Sequence, residues 1–219
     1  MSDCCTPRGY SRLFSERRAA AAAKRYRRKG LEATERRIVD LLVERGAEGS
    51  TVLEVGGGVG AVQVELLRAG ARRAVSVELT PTYEEAARQL LREAGLEDRV
   101  ERTIIDFVEG GADVAAADVV VMNRVLCCYP DMPRLAGAAA DHTRRLLAVS
   151  YPKSTWWTRL TLGVGNVGLR VFRREFHLFL HSPDEIGRVA ESSGLRPVTR
   201  RRGLFWEIAA WERPAAPQE

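Results

Sequence analysis

Between Ser50 and Pro152 short β-branched runs alternate with amphipathic stretches, and this alternation constrains the fold more than any other feature. "STVLEV", "RAVSVEL", "VERTIID", "DVVVMNRV" and "RLLAVSYP" read as strands. "AVQVELLRAGA", "TPTYEEAARQLLREAGL" and "PDMPRLAGAAADHTRR" read as the helices between them. Strands joined through helices form βαβ units, with a parallel sheet and right-handed crossovers. The runs Val119–Met122 and Leu146–Val149 are continuously apolar, as strands covered on both faces require.

Both ends depart from that pattern. "FSERRAAAAAKRYRRKG" predicts a helix capped by Ser15 and stopped by Gly30, and "LEATERRIVDLLVERG" a second, stopped by Gly46. After Pro152, residues 153–182 read as an inserted segment rich in tryptophan, glycine and basic residues. "SPDEIGRVAESSGL" follows as a helix, with Ser182 and Glu185 spaced as a capping box. "RPVTRRRGLFWEIAAWER" gives two strands turning near Arg202–Gly203. The expected organisation is a basic helical arm or lid (1–30), a main domain (31–213) and a flexible tail (214–219).

The 219 residues, 45% hydrophobic and 29% charged, suit one globular domain with a cap. No stretch approaches the roughly 20 apolar residues of a membrane span. "MSDCCTPRGYSRLFSERR" lacks the apolar core of a signal peptide, so a cytoplasmic, thiol-reducing setting is the default expectation. The formal net charge is +5, and Glu16 is the only acid between Arg8 and Lys29. A solvated helix face is the ordinary reading of such a run. An anionic substrate, a nucleic acid or a membrane surface are the sharper ones. Few aromatics interleave these charges (Tyr10, Phe14, Tyr26), so nucleic acid is not the expected partner.

The chemistry concentrates after the first strand. "VLEVGGGVG" places Glu54, Gly56, Gly58 and Gly60 at a strand-to-helix turn, where glycines let backbone approach a ligand closely. The second strand ends at Glu78, and a carboxylate there can accept from both hydroxyls of a ribose. No Lys-Ser/Thr follows the glycines, which excludes a P-loop. Gly56–Ala61 also satisfies G-x-G-x-x-A, so the loop alone leaves a dinucleotide dehydrogenase open. Glu54 beside the loop suits an ammonium or sulfonium better than a pyrophosphate. Asp106, in "IIDF" at the end of the third strand, can accept from an exocyclic amine.

In order and spacing, "VLEVGGGVG", "VSVEL", "IIDF" and "DVVVMNRV" resemble the successive motifs of class I S-adenosylmethionine-dependent methyltransferases. The resemblance runs from about Glu32 to Arg213. It implies a Rossmann-like α/β fold: a seven-stranded, mostly parallel sheet with its last strand antiparallel, plus N-terminal helices. It also implies S-adenosyl-L-methionine as cofactor. Gly56, Gly58 and Gly60 would border its methionine part, and Glu54 would support the ammonium directly or through water. Glu78 would hold the ribose, Asp106 the adenine amine, and the Phe107 backbone the ring. Asn123 would face the ammonium and the transferred methyl. The layout is also faintly similar to magnesium-protoporphyrin O-methyltransferases.

That resemblance implies methyl transfer to an acceptor, expected to be a small molecule and oxygen rather than nitrogen or carbon. An RNA or protein acceptor, and a non-catalytic cofactor-binding protein, are the alternatives. "NRVLCCYP" after the fourth strand lacks an "NPPY"-like motif, against the amino-adenine and glutamine N-methylating relatives. A hydroxyl acceptor benefits from a base, whereas a carboxylate needs none. Of three histidines, His177 and His181 are the base candidates, in flanks that read as extended. Tyr10, Phe14, Cys127, Cys128, Tyr129, Trp156 and Trp157 are the candidate wall of the acceptor pocket. The pairs Cys4–Cys5 and Cys127–Cys128 match neither zinc nor thioredoxin-like spacing, and no metal is expected. Oligomeric state has no signature in the sequence.

Overall fold

The computed structural model describes residues 7–172 and 175–215. Cys4, Cys5 and residues 216–219 of the expected tail lie outside these residues. Three N-terminal helices, α1 (Pro7–Leu13), α2 (Glu16–Lys29) and α3 (Ala33–Glu44), lead into a sheet. Its strands are β1 (Thr51–Val55), β2 (Arg73–Glu78), β3 (Val100–Ile104), β4 (Ala117–Asn123), β5 (Thr143–Pro152), β6 (Arg196–Arg202) and β7 (Trp206–Glu212). Between them lie α4 (Ala61–Arg68), α5 (Glu84–Ala94), the single turn α6 (Phe107–Gly110), α7 (Met132–Asp141), α8 (Trp156–Val171) and α9 (Pro183–Ser192).

The seven strands lie in the order β3-β2-β1-β4-β5-β7-β6. The pairs among β1 to β5 are parallel, and β7 is antiparallel to both β5 and β6. The chain builds outward from β1 through β2 to β3, then returns to place β4 on the other side of β1. A crevice opens at such a reversal, beyond the carboxyl ends of the strands. The glycine loop after β1 and Asn123 at the end of β4 therefore share one rim.

Burial follows from period-2 alternation. Val119 and Val121 pack under the layer of α3, α4 and α5, while Val120 and Met122 pack under that of α7 and α9. All four are fully buried, and each contributes roughly 1.5–3 kcal/mol of apolar burial. A smaller cluster of Tyr10, Phe176 and their apolar neighbours sits over the carboxyl edge.

Local departures from the sequence reading have physical causes. The first expected helix has another before it, broken at Phe14–Ser15, and Ser15 takes the N-cap position of α2 without a side-chain bond. Glu32 and Glu35 form a capping box at the start of α3. At Ser182 none forms, because its hydroxyl makes no cap bond. Asp131, rather than Pro130, opens α7 by accepting from the Arg134 amide. The flanks of His177 and His181 are irregular, not extended strand. The Asn166 side chain of α8 binds both the N–H and the C=O of Leu178, replacing a strand partner.

Candidate active site

A cavity of about 320 Å³ lies at the reversal point. Its floor is the turn "VGGGV", Val55–Val59, which leaves β1 and enters α4. Gly56 and Gly58 have φ of 69° and 62°, a left-handed conformation that favours glycine. Gly57 is required for space, since a Cβ there would run into the Glu54 carboxyl. Gly60 carries the same left-handed backbone at the N-cap of α4 but does not line the cavity.

Glu78 closes one side from the tip of β2. Its Oε1 accepts the Gly58 amide at 2.5 Å, which ties the glycine loop to the second strand. Arg102, on β3, is buried beneath and donates to Ser76 Oγ (3.0 Å), Glu84 Oε2 (2.9 Å) and the Gly58 carbonyl (3.3 Å). Burial pushes the Glu78 carboxyl up to about 7, against the opposing pull of Arg102 and the Gly58 amide. Glu54 is 1% exposed and stands behind Gly57, outside the lining. Burial, then repulsion from Glu78, pushes it up to about 8. Among the described residues its Oε2 has no hydrogen-bond partner.

Asp106 and Phe107 line the cavity at the end of β3. Asp106 caps α6 by accepting the Val108 amide, and it also accepts the Tyr129 hydroxyl at 3.0 and 3.2 Å. That hydroxyl is driven well above its ordinary range, by burial and then by the Asp106 bond. Asn123 Oδ1 accepts from Ser150 Oγ at 2.7 Å, which fixes the amide at the end of β4. Arg124 follows with φ 61°, an uncommon backbone for a side chain of its size. Its guanidinium pairs with Glu32 at 2.6 Å and lies over the Trp206 ring at 4.9 Å.

The roof comes from the N-terminal helices and the chain after α8. Tyr10 donates to the Cys128 carbonyl at 2.5 Å. Phe176 meets Tyr10 and Phe14 edge-on, at 5.4 and 5.7 Å between ring centres. Tyr10, Phe14, Cys128 and Tyr129 line the cavity as the sequence suggested; Cys127 is buried behind them. The two thiols stand 3.7 Å apart, both directed at the Arg124 carbonyl. Among the described residues no cluster of three or more potential ligands could hold a metal ion.

Four of the expected residues lie elsewhere. Trp156 is 77% exposed, and Trp157 packs edge-on against Phe205, because the chain after β5 turns into α8 rather than folding over the crevice. His177 is held by Asn166, and His181 faces the Leu126 and Tyr129 backbone while stacking on Phe179. Neither histidine lines the cavity. Burial lowers the His181 pKa, which keeps its imidazole neutral near pH 7. Conversely, Tyr83, Arg25, Glu32 and Glu35 line the cavity without having been singled out. The E-x-x-E at the head of α3 was the available signal. Arg25 pairs with both acids at 3.2 Å, closing the rim with an ion cluster.

The wall is therefore rich in acceptors: Glu78, Asp106, the Asn123 carbonyl and the rim glutamates. Such a set fits a ligand bearing hydroxyls, amines and positive charge, not a pyrophosphate.

A family model described as a methyltransferase domain matches residues 23–200. Ribosomal protein L11 methyltransferase of Clostridium botulinum (strain Eklund 17B / Type B) is 29% identical over 107 residues, covering 47% of this chain and 33% of that protein. The chain thus spans about a third of the length of the first curated relatives it matches. Magnesium protoporphyrin IX methyltransferase from Synechocystis PCC 6803, solved with bound SAH, shares the fold at TM-score 0.68 and 20% identity, over 83% of this chain and 82% of that one. An O-methyltransferase family protein from Burkholderia thailandensis gives 0.68 at 21% identity, over 92% and 63%. Taken with the strand order and the glycine loop, the match over residues 23–200 shows that this chain belongs to the class I S-adenosylmethionine-dependent methyltransferases.

Proposed function

We propose that this chain transfers the methyl group of S-adenosylmethionine to the oxygen of a small molecule. The observation that carries the reading is the aromatic roof. Tyr10 and Phe14 line the cavity with Phe176 packed edge-on against both, and the Tyr10–Cys128 bond fixes this cluster to the rim through Tyr10. A roofed, apolar-lined cavity suits a compact acceptor better than a polymer.

The acceptor-rich wall fits the cofactor group by group. One Glu78 oxygen is engaged by Gly58, and the carboxylate retains lone pairs for the ribose hydroxyls. Asp106, held by Tyr129, takes the adenine amine, with the Phe107 backbone beside the ring. Asn123, oriented by Ser150, offers its remaining lone pair to the ammonium. Glu54 acts from behind Gly57: protonated near pH 7 in the free protein, it becomes negative charge under the loop when the cationic cofactor binds. The bound cofactor supplies an activated methyl on a sulfonium. The protein's own task is to hold the acceptor oxygen in line with it and exclude water.

Neither His177 nor His181 lines the cavity, so this reading gives neither of them the role of base. The basic arm lends little to an RNA reading, since part of its charge is used internally. Arg27 pairs with Glu93 at 2.6 Å and Arg25 with Glu32 and Glu35. A protein acceptor is the second reading, favoured by the similarity to ribosomal protein L11 methyltransferase.

The test is a mass-spectrometric screen of metabolites, proteins and RNA for gain of one methyl group, with labelled S-adenosylmethionine. A labelled small molecule whose methyl resists amine-specific chemistry is the expected result. Label confined to protein or RNA overturns the reading.

A further inference from the structure

The cavity leaves α8 unused, and this helix has two faces. Thr158 and Leu162 are buried on one. On the other, Trp156, Leu160, Val164, Val167 and Val171 are between 60% and 77% exposed, with Phe172 at 77% just beyond. At about 100° per residue these five side chains fall within an arc of roughly 80°. A continuous exposed apolar stripe of this kind marks an interaction surface. The helix also contains Gly163, Gly165 and Gly168, which weaken it in water. So little buried surface beneath a glycine-rich helix points to a second face stabilised by something else.

Charge selects the partner. No acidic residue occurs between Asp141 and Glu175. Arg159 and Arg170 are exposed and lie on one flank of the stripe. Arg12 and Arg18, from α1 and α2, border a shallow groove with Gly165, Gly168 and Phe172. Among the described residues, the charged side chains on the helix itself are Arg159 and Arg170, and those lining the groove beside it are Arg12 and Arg18. A second copy docking through the same band would bring like-charged flanks together. A lipid surface with anionic headgroups accepts both the band and its flank. No helix of the described residues is long and apolar enough to cross a membrane, so the arrangement is one of lying on the surface.

We propose that α8 is a docking helix for anionic membrane surfaces, seated with Trp156, Leu160, Val164, Val167 and Val171 in the acyl boundary and Arg159 and Arg170 at the headgroups. The chain after α8 carries Phe176 to the roof of the cavity, so docking sets the roof beside the lipid. The proposal stands independently of which acceptor is methylated.

The test is co-sedimentation of the full chain with vesicles of phosphatidylcholine containing about one-third phosphatidylglycerol, against phosphatidylcholine alone. The wild type should pellet with the anionic vesicles, less so in high salt. Leu160→Ser/Val164→Ser/Val167→Ser should lose at least about tenfold in partitioning while binding S-adenosylmethionine as the wild type does. Arg159→Glu/Arg170→Glu should lose the preference for anionic lipid. Wild type remaining in the supernatant with both vesicles overturns the proposal. So does undiminished pelleting of the serine variant, or a wild-type dimer that the serine variant dissociates without any vesicle binding.

Discussion

Glu78 holds the backbone amide of Gly58 at 2.5 Å, and through this bond the tip of the second strand fixes the loop that leaves the first. One carboxylate therefore both shapes the glycine loop and faces the cavity. The loop has no slack beneath it. Gly57→Ala would drive a methyl into the Glu54 carboxyl. We expect this variant to lose about 1–3 kcal/mol of stability, seen as a lower urea midpoint, together with weaker cofactor binding. Gly46→Ala, where nothing lies within 4 Å, should cost only the strain of its left-handed backbone, φ 73°.

Buried carboxylates make the loop sensitive to pH. Glu54 is pushed up to about 8 and Glu78 to about 7, each well above an exposed glutamate. A carboxyl with a raised folded pKa favours folding while protonated. Its contribution is complete below the unfolded value, near 4.3, and is lost as pH rises through about 7–8. The cofactor-free protein should lose thermal stability as pH rises from about 4.5 to about 8, levelling off above that, and Glu54→Gln should flatten the slope. A cationic ligand reverses the preference, so S-adenosylmethionine binding near pH 7 should release protons. Calorimetry in buffers of different ionisation heat measures this directly.

At the adenine end, Asp106 serves both the α6 cap and the Tyr129 hydroxyl. Asp106→Ala should cost about 1 kcal/mol of stability for the cap and reduce cofactor affinity as well. Tyr129→Phe keeps the carboxylate and the cap. It should change cofactor affinity by less than about tenfold, which separates holding the cofactor from holding Asp106 in place.

At the roof, Tyr10→Phe removes the bond to the Cys128 carbonyl while keeping the ring in its cluster. Cofactor affinity should hold and the acceptor KM should rise several-fold. Cys127→Ser and Cys128→Ser should leave cofactor binding nearly intact, since the thiols meet the Arg124 carbonyl rather than the glycine loop. Loss of cofactor binding in either serine variant contradicts this view of the rim.

The parallel sheet was legible because each strand carries its own local signal, and the apolar run Val119–Met122 matches a strand buried on both faces. The places of Gly56, Gly58, Glu78, Asp106 and Asn123 around the cavity were legible for a related reason: each lies at or just beyond the end of a strand, and one topology brings those ends together. What was hidden depends on contacts distant in sequence. Trp156 and Trp157 read as pocket wall until α8 formed and turned them away. His177 and His181 read as extended until the Asn166 side chain captured the Leu178 backbone. Glu32 and Glu35 were read only as part of a helix, and only the fold brings Arg124 to Glu32 and Arg25 to both.

Calorimetric titration of the purified chain with S-adenosylmethionine, beside Glu78→Ala, tests the central claim most directly. The account predicts one site in the wild type. It also predicts a loss of about 10- to 100-fold in Glu78→Ala, the weight of a charge-assisted bond to a ligand plus a loosened Gly58. No heat with the wild type, or affinity undiminished in Glu78→Ala, would contradict it.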